Sequence, residues 1–202
     1  MVTRVLLADD QALVRGALGA LLELEGDLEV VAQVGRGDEV VDAARASGAE
    51  VCLLDIQMPG LDGLQATAAV RRELPGVRVL VVTTFDRPGY LRQALEAGAS
   101  GFIVKDAPAE QLAEAVRRVA AGLRVVDPAL AEASLLGGPN PLTDREREVL
   151  RLARDGDSVA RIAQQVHLSP GTVRNHLSSA IGKTGTENRV EAARVATDNG
   201  WI

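Results

Sequence analysis

Through its first 122 residues the chain alternates short apolar runs with longer segments in which apolar side chains return every three or four positions. Five runs read as strands: Arg4–Ala8, Leu28–Val34, Val51–Leu54, Val77–Val82 and Gly101–Val104. Three of them are almost unbroken β-branched or leucine sequence, as expected of strands covered on both faces. Helical spacing fills the gaps, in Leu13, Ala17, Leu21 and Leu24, in Val40, Ala44 and Ser47, and in Leu64, Ala68 and Arg71. It closes with Leu112, Val116 and Val119 in the segment 108–122. Strand and helix in alternation predict an α/β fold, a doubly wound (βα)5 domain with a parallel five-stranded sheet and right-handed crossovers. The second strand is expected at an edge.

The pattern changes after Gly122. Asp127-Pro128 can open a short helix through Leu136, and Gly137-Gly138-Pro139-Asn140-Pro141 is a break that no regular element crosses. Residues 123–140 therefore read as a linker with a short helix. Residues 141–202 read as an all-α, four-helix domain. Thr143 followed by Glu146 is a capping box opening a helix over Asp144–Arg154. Ser158 starts a second helix carrying Ile162 and Val166, and a turn at His167-Leu168 leads to Ser169-Pro170, an N-cap with proline at the first helical position. The third helix, about Pro170–Ile181, turns Val173, Leu177 and Ile181 inward, which leaves Arg174, Asn175 and Ser178 outward. A last helix over about Arg189–Asn199 carries Val190, Ala193 and Ala196.

Charge refines this division. The chain of 202 residues has net charge −6. Residues 1–122 hold 12 basic and 18 acidic side chains, whereas the stretch 158–186 holds Arg161, Arg174 and Lys183 and no acid. A local positive field of this kind suits a polyanion despite the acidic total. No run of about 18 apolar residues exists, and the N-terminus lacks the zones of a signal peptide. The single cysteine, Cys52, cannot form an internal disulfide. A cytoplasmic protein without membrane attachment is expected.

Candidate chemistry lies at the strand ends. Ligands of open α/β sheets bind outside the carboxyl ends of the strands, near the switch point of strand order. Strand one ends on Asp9-Asp10, strand three on Asp55, strand four on Thr83-Thr84 and strand five on Lys105. Three clustered carboxylates repel one another and should collect a hard divalent cation such as Mg²⁺. Asp55 is then placed as a nucleophile toward a phosphoryl donor, Lys105 as a charge for a phosphoryl oxygen and Thr83 as a hydroxyl donor to another. Taken singly, each residue has a plainer role: Asp10 as a helix cap, Thr83 as a strand residue, Phe102 as core and Lys105 as a solvated charge. Their joint placement at four strand ends favours the phosphoryl site.

The strings VLLADD, LLDIQMPGLDG, LVVTTF and GFIVKD resemble the receiver domain of bacterial two-component response regulators over residues 1–122. The resemblance implies Asp55 as phosphoacceptor, and Asp10, Asp9, Asp55 and the Gln57 carbonyl as Mg²⁺ ligands. It also implies Thr83 and Phe102 as switch residues, with Thr84 beside them, and Lys105 as the pocket's cation. Phe102 stands where tyrosine is commoner, and Asp106 where proline usually follows the lysine. The string from PLTDREREVL to GKTG, followed by NRVEAARVA, resembles the LuxR-type helix-turn-helix output domain, with Thr184 where leucine is usual. In such motifs the second helix enters the DNA major groove. Arg174 then suits guanine and Asn175 adenine, with Ser178 on the same face, while Arg161, Thr172 and Lys183 suit phosphates. Together the two halves resemble the NarL/FixJ class of transcription regulators, and TTFDRPGY and NRVEAARVATDNGWI resemble its DesR branch.

The expected protein is thus a non-enzymatic, DNA-binding response regulator. A cognate histidine kinase would phosphorylate Asp55, and a homodimer would form and grip double-stranded DNA; the resemblance implies pairing through the first and fifth helices or through the fourth-helix face, and the apolar stretch Leu13 to Leu24 favours the former. Two other functions keep the same residues: a regulator that binds DNA without phosphate, and a phosphatase with an aspartyl nucleophile. The phosphatase usually has a second acid two residues after the nucleophile, and Gln57 stands there.

Overall fold

The computed structural model describes residues 2–84, 88–127, 131 and 140–202. By internal contacts the chain divides into two compact units, residues 1–86 with 91–131 and residues 87–90 with 132–202.

The first unit is built on a parallel sheet of β1 (Thr3–Ala8), β2 (Leu28–Val34), β3 (Val51–Leu54), β4 (Arg78–Thr83), β5 (Gly101–Val104) and β6 (Val125–Val126), in the order β2-β1-β3-β4-β5-β6. Its helices are α1 (Ala12–Glu23), α2 (Val40–Ser47), α3 (Gly63–Glu73), α4 (Pro88–Glu96) and α5 (Ala109–Ala120). The edge position of β2 is as expected. The sheet has one strand more than expected: β6 lies in the stretch assigned to the linker and pairs with β5, Gly101 beside Val125 and Phe102 beside Val126. Two residues are too few to show as an apolar run, which is why the pattern concealed them.

One face of the sheet presents Val5, Leu7, Val51, Leu53, Leu80, Val82 and Ile103 to Leu22 of α1 and to Leu112, Val116 and Val119 of α5. The alternate residues Leu6, Cys52, Leu54, Val79, Val81 and Phe102 are equally buried and point to the opposite face, as strand geometry requires. The helical stripe chosen for α1 is corrected. Leu13 is 87% and Leu24 82% exposed, while Leu18 and Leu22 make the packing face. Both faces of α1 are apolar, so spacing alone could not say which one the sheet takes. In α3 the buried residues are Ala66, Thr67, Ala69 and Val70 rather than Leu64, Ala68 and Arg71. The linker segment 128–139 lies, apart from Ala131, outside the described residues. At its start the Ala131 amide donates to the Asp127 carbonyl (2.9 Å).

The second unit holds α6 (Asp144–Arg154), α7 (Val159–Gln165), α8 (Pro170–Thr184) and α9 (Arg189–Asp198). Its starts are those the sequence announces. Thr143 and Glu146 form a complete capping box, and the hydroxyls of Ser158 and Ser169 accept from the third amide of their helices. Asn188 caps α9 by accepting from Val190 and Glu191. The turn between α7 and α8 places His167 at φ 54°, the one non-glycine positive φ among the described residues. A core of Val149, Leu150, Ile162, Val173, Leu177, Ala193 and Ala196 joins all four helices. The hydroxyl of Thr184 donates back to the Ala180 carbonyl (2.9 Å), so the polar residue at the usual leucine position satisfies itself at the helix end.

Candidate functional site

Parallel pairing of β1 with β3 and of β4 with β5 brings the ends of four strands to one edge. Asp9 and Asp55 are buried there, 3% and 4% exposed, Thr83 is fully buried, and Asp10 is open to solvent. The Lys105 ammonium lies 2.6 Å from Asp9 Oδ2 and 3.3 Å from Asp55 Oδ1. Backbone bonds hold the geometry. The Asp55 amide donates to the Ala8 carbonyl (2.9 Å) and the Lys105 amide to the Thr83 carbonyl (2.7 Å). The loop after Asp55 returns closely enough that a Cβ on Gly63 would sit 1.9 Å from the Asp55 carbonyl oxygen, so α3 can begin there only on glycine.

Burial holds the Asp55 carboxyl above its usual range; Asp9 pushes the same way, and the charge of Lys105 opposes both. The oxygens of Asp9, Asp10 and Asp55 all lie within 4.8 Å of one another. Among the described residues Asp9 Oδ2 and Asp55 Oδ1 have no hydrogen-bond donor of their own, and both lie beside the Lys105 charge. Oxygen donors so spaced, with buried lone pairs to spare, fit a hard divalent ion.

The remaining residues of the predicted pocket fall around this centre. The side chain of Gln57, two residues past Asp55, is exposed, as is Thr84 at the end of β4. Phe102 is wholly buried in β5. Sequence reasoning missed Arg15, whose guanidinium donates to the Asp9 carbonyl across the first turn of α1. The only signal was a cation one turn beyond the acid pair.

In the second unit α8 exposes Arg174, Asn175 and Ser178 and buries Val173, Leu177 and Ala180, with Ile181 partly covered. Thr172 shares a hydrogen bond with Ser169 (2.8 Å) at the helix start. Arg161 is exposed and pairs loosely with Asp157, one turn before it (3.1 Å). Lys183, expected at a phosphate, also has a partner within the domain. Its ammonium lies 2.7 Å from Glu146 Oε2 and 3.0 Å from Oε1, while its side chain is 35% exposed. Among the described residues no helix is long and apolar enough to cross a membrane.

Comparison with known proteins agrees with this arrangement. Residues 5–117 match the response regulator receiver domain family, and residues 140–196 match the bacterial regulatory proteins of the luxR family. The transcriptional regulatory protein DesR of Bacillus subtilis (strain 168) is 43% identical over 198 residues, covering 98% of each chain. The response regulator RamR of Streptomyces coelicolor is 41% identical over 199 residues, covering 98% of this chain and 97% of its own. The crystal structure of the response regulator ChrA of a heme-sensing two-component system superposes with a TM-score of 0.61 at 34% identity, over 100% of this chain and 99% of that one. Its two matched domains, its fold and its relatives make this chain a member of the two-component response regulators, a DNA-binding transcriptional regulator of the NarL/FixJ class that resembles DesR.

Proposed function

We propose that Asp55 is the phosphoacceptor and that its phosphorylation assembles two copies of the chain on DNA. The observation that carries this is the buried Asp55 carboxylate beside Asp9, with Lys105 within reach of both. An Asp55 oxygen attacks the phosphorus of a histidine kinase's phosphoimidazole; the P–N bond breaks and the imidazole leaves with the electron pair. Asp9, Asp10, Asp55 and the Gln57 carbonyl would hold Mg²⁺, which neutralises charge on the transferring group. Lys105, now shared between two carboxylates, is placed to turn to a phosphoryl oxygen, and Thr83 to donate to another. Thr84 and Phe102 follow the resulting shift of β4 and β5. The domain acts on DNA, not as an enzyme on a substrate of its own.

Dimerisation uses α1 and α5. Leu13 and Leu21 on α1 and Leu24 at its C-cap stand exposed, apolar side chains available to a partner. Beside them Arg117 of α5 donates to Asp27 (2.9 and 2.8 Å) and Glu25 (2.7 Å), tying α5 to the turn that follows α1. The paired output domains then meet half-sites about 10 base pairs apart. Arg174 and Asn175 read bases, with Ser178 beside them, and Arg161 and Thr172 hold phosphates. Residues 1–122 form the receiver, 123–140 the linker and 141–202 the DNA-binding domain of a cytoplasmic protein.

Light scattering of the full chain, with and without beryllofluoride and Mg²⁺, tests the proposal. The wild-type mass should double, and Asp55→Asn should stay monomeric under both conditions. Equal masses for the wild type with and without the phosphate mimic would end it.

A further inference from the structure

Glu146 is a charged residue buried to 4% exposure, and its surroundings are built for it. Oε1 accepts from the Ser179 hydroxyl (2.6 Å) and the Lys183 ammonium (3.0 Å), and Oε2 accepts from Lys183 (2.7 Å) and the Thr143 amide (2.7 Å). Four bonds therefore use the full acceptor capacity of the carboxylate. Ser179 and Lys183 are one turn apart on α8, while Thr143 and Glu146 open α6. One side chain thus closes the capping box of α6 and clamps two successive turns of the recognition helix against it.

We propose that Lys183 is a positioning residue, which with Glu146 sets the seat of α8 on α6 and so aims Arg174 and Asn175, and that it makes no contact with DNA phosphate. Its nitrogen bonds both oxygens of the buried carboxylate although its side chain is 35% exposed, and leaving that carboxylate would strand a buried negative charge with only two donors. Arg161, by contrast, is 71% exposed, and its partner Asp157 keeps a bond from the Gln165 amide when the guanidinium leaves. The inference rests on the DNA-binding function of the output domain and is independent of phosphorylation.

The two roles separate by salt dependence. A duplex is first selected from a random pool by the full-length wild-type chain with beryllofluoride and Mg²⁺. Affinities for that duplex are then measured across salt concentrations for the wild type, Lys183→Met, and the double variant Glu146→Gln/Lys183→Met. Circular dichroism reports folding of each.

Lys183→Met should weaken binding about tenfold. The double variant has no stranded charge, and its glutamine amide can still bond both the Ser179 hydroxyl and the Thr143 amide, so it should recover most of that loss. The slope of log affinity against log salt should match the wild type in both. Losing one phosphate contact would instead flatten the slope by about 0.9 per bound protomer. A flattened slope in the folded double variant overturns the proposal, as does a double variant that binds no better than Lys183→Met. If Lys183→Met alone unfolds, the double variant still decides by its slope.

Discussion

Cys52 and Glu146 are both buried, yet burial has opposite outcomes for them because only one has partners. Cys52 sits in β3 with apolar neighbours, and loss of solvent pushes its thiol up to about 12. It should not react with iodoacetamide at pH 8 in the native protein and should react fully in guanidinium; fast native labelling would show that β3 is not central. For Glu146, burial also favours the neutral acid, but bonds from Lys183, Ser179 and Thr143 outweigh it and bring the carboxyl down to about 2. A depressed acid stabilises the fold above its unfolded value, here 4.5, and the contribution is lost as pH falls from there toward 2. The wild-type output domain should therefore lose stability over that interval more steeply than Glu146→Gln, as measured by urea unfolding at stepped pH. Identical profiles would mean that the ionised carboxylate contributes nothing. The chemical pocket was legible at this scale because each of Asp9, Asp55, Thr83 and Lys105 directly follows or ends an apolar run. The Glu146 clamp was legible only by half, since a capping box announces the bond to Thr143 but not the partners on α8.

Helix starts in the output domain follow local rules, and local rules carry local costs. The Ser169 hydroxyl accepts from the Thr172 amide (3.1 Å) at the head of the recognition helix. Ser169→Ala should cost about 1 kcal/mol, visible as a lower thermal midpoint, with Ser169→Gly closer to wild type. The receiver helix α1 behaves differently. Its sequence has two apolar stripes, and only packing against β1 and α5 decides that Leu18 and Leu22 go inward and Leu13 and Leu24 outward. Replacing the outward pair, Leu13→Lys with Leu24→Lys, should leave the monomer's thermal midpoint unchanged, since both are more than four-fifths exposed. The same variant should fail to dimerise with beryllofluoride in light scattering. A normal dimer would move the interface to another face.

For the whole molecule, the acid-free stretch 158–186 is the part whose charge suits DNA, while residues 1–122 are net acidic. In the proposed dimer two output domains would bind as one. On a duplex with two half-sites about 10 base pairs apart, beryllofluoride should raise affinity strongly; on a duplex with one half-site it should have little effect. Fluorescence anisotropy on both duplexes distinguishes this from a switch that alters each output domain by itself, for which both affinities would rise together.

Sequence by itself determined the alternation of strands and helices, the edge place of β2, the strand ends that carry Asp9, Asp55, Thr83 and Lys105, and the caps at Thr143, Ser158 and Ser169. All of these depend on neighbours within a few positions, where periodicity and capping act. Only the tertiary structure decided that α1 turns Leu13 and Leu24 to solvent, that Val125 and Val126 extend the sheet beside β5, and that Lys183 faces Glu146 across 37 residues. Each of those depends on which surfaces meet after the chain has folded back. An amphipathic pattern with two apolar sides, a strand of two residues and a lysine on a helix fix no partner until another element supplies one.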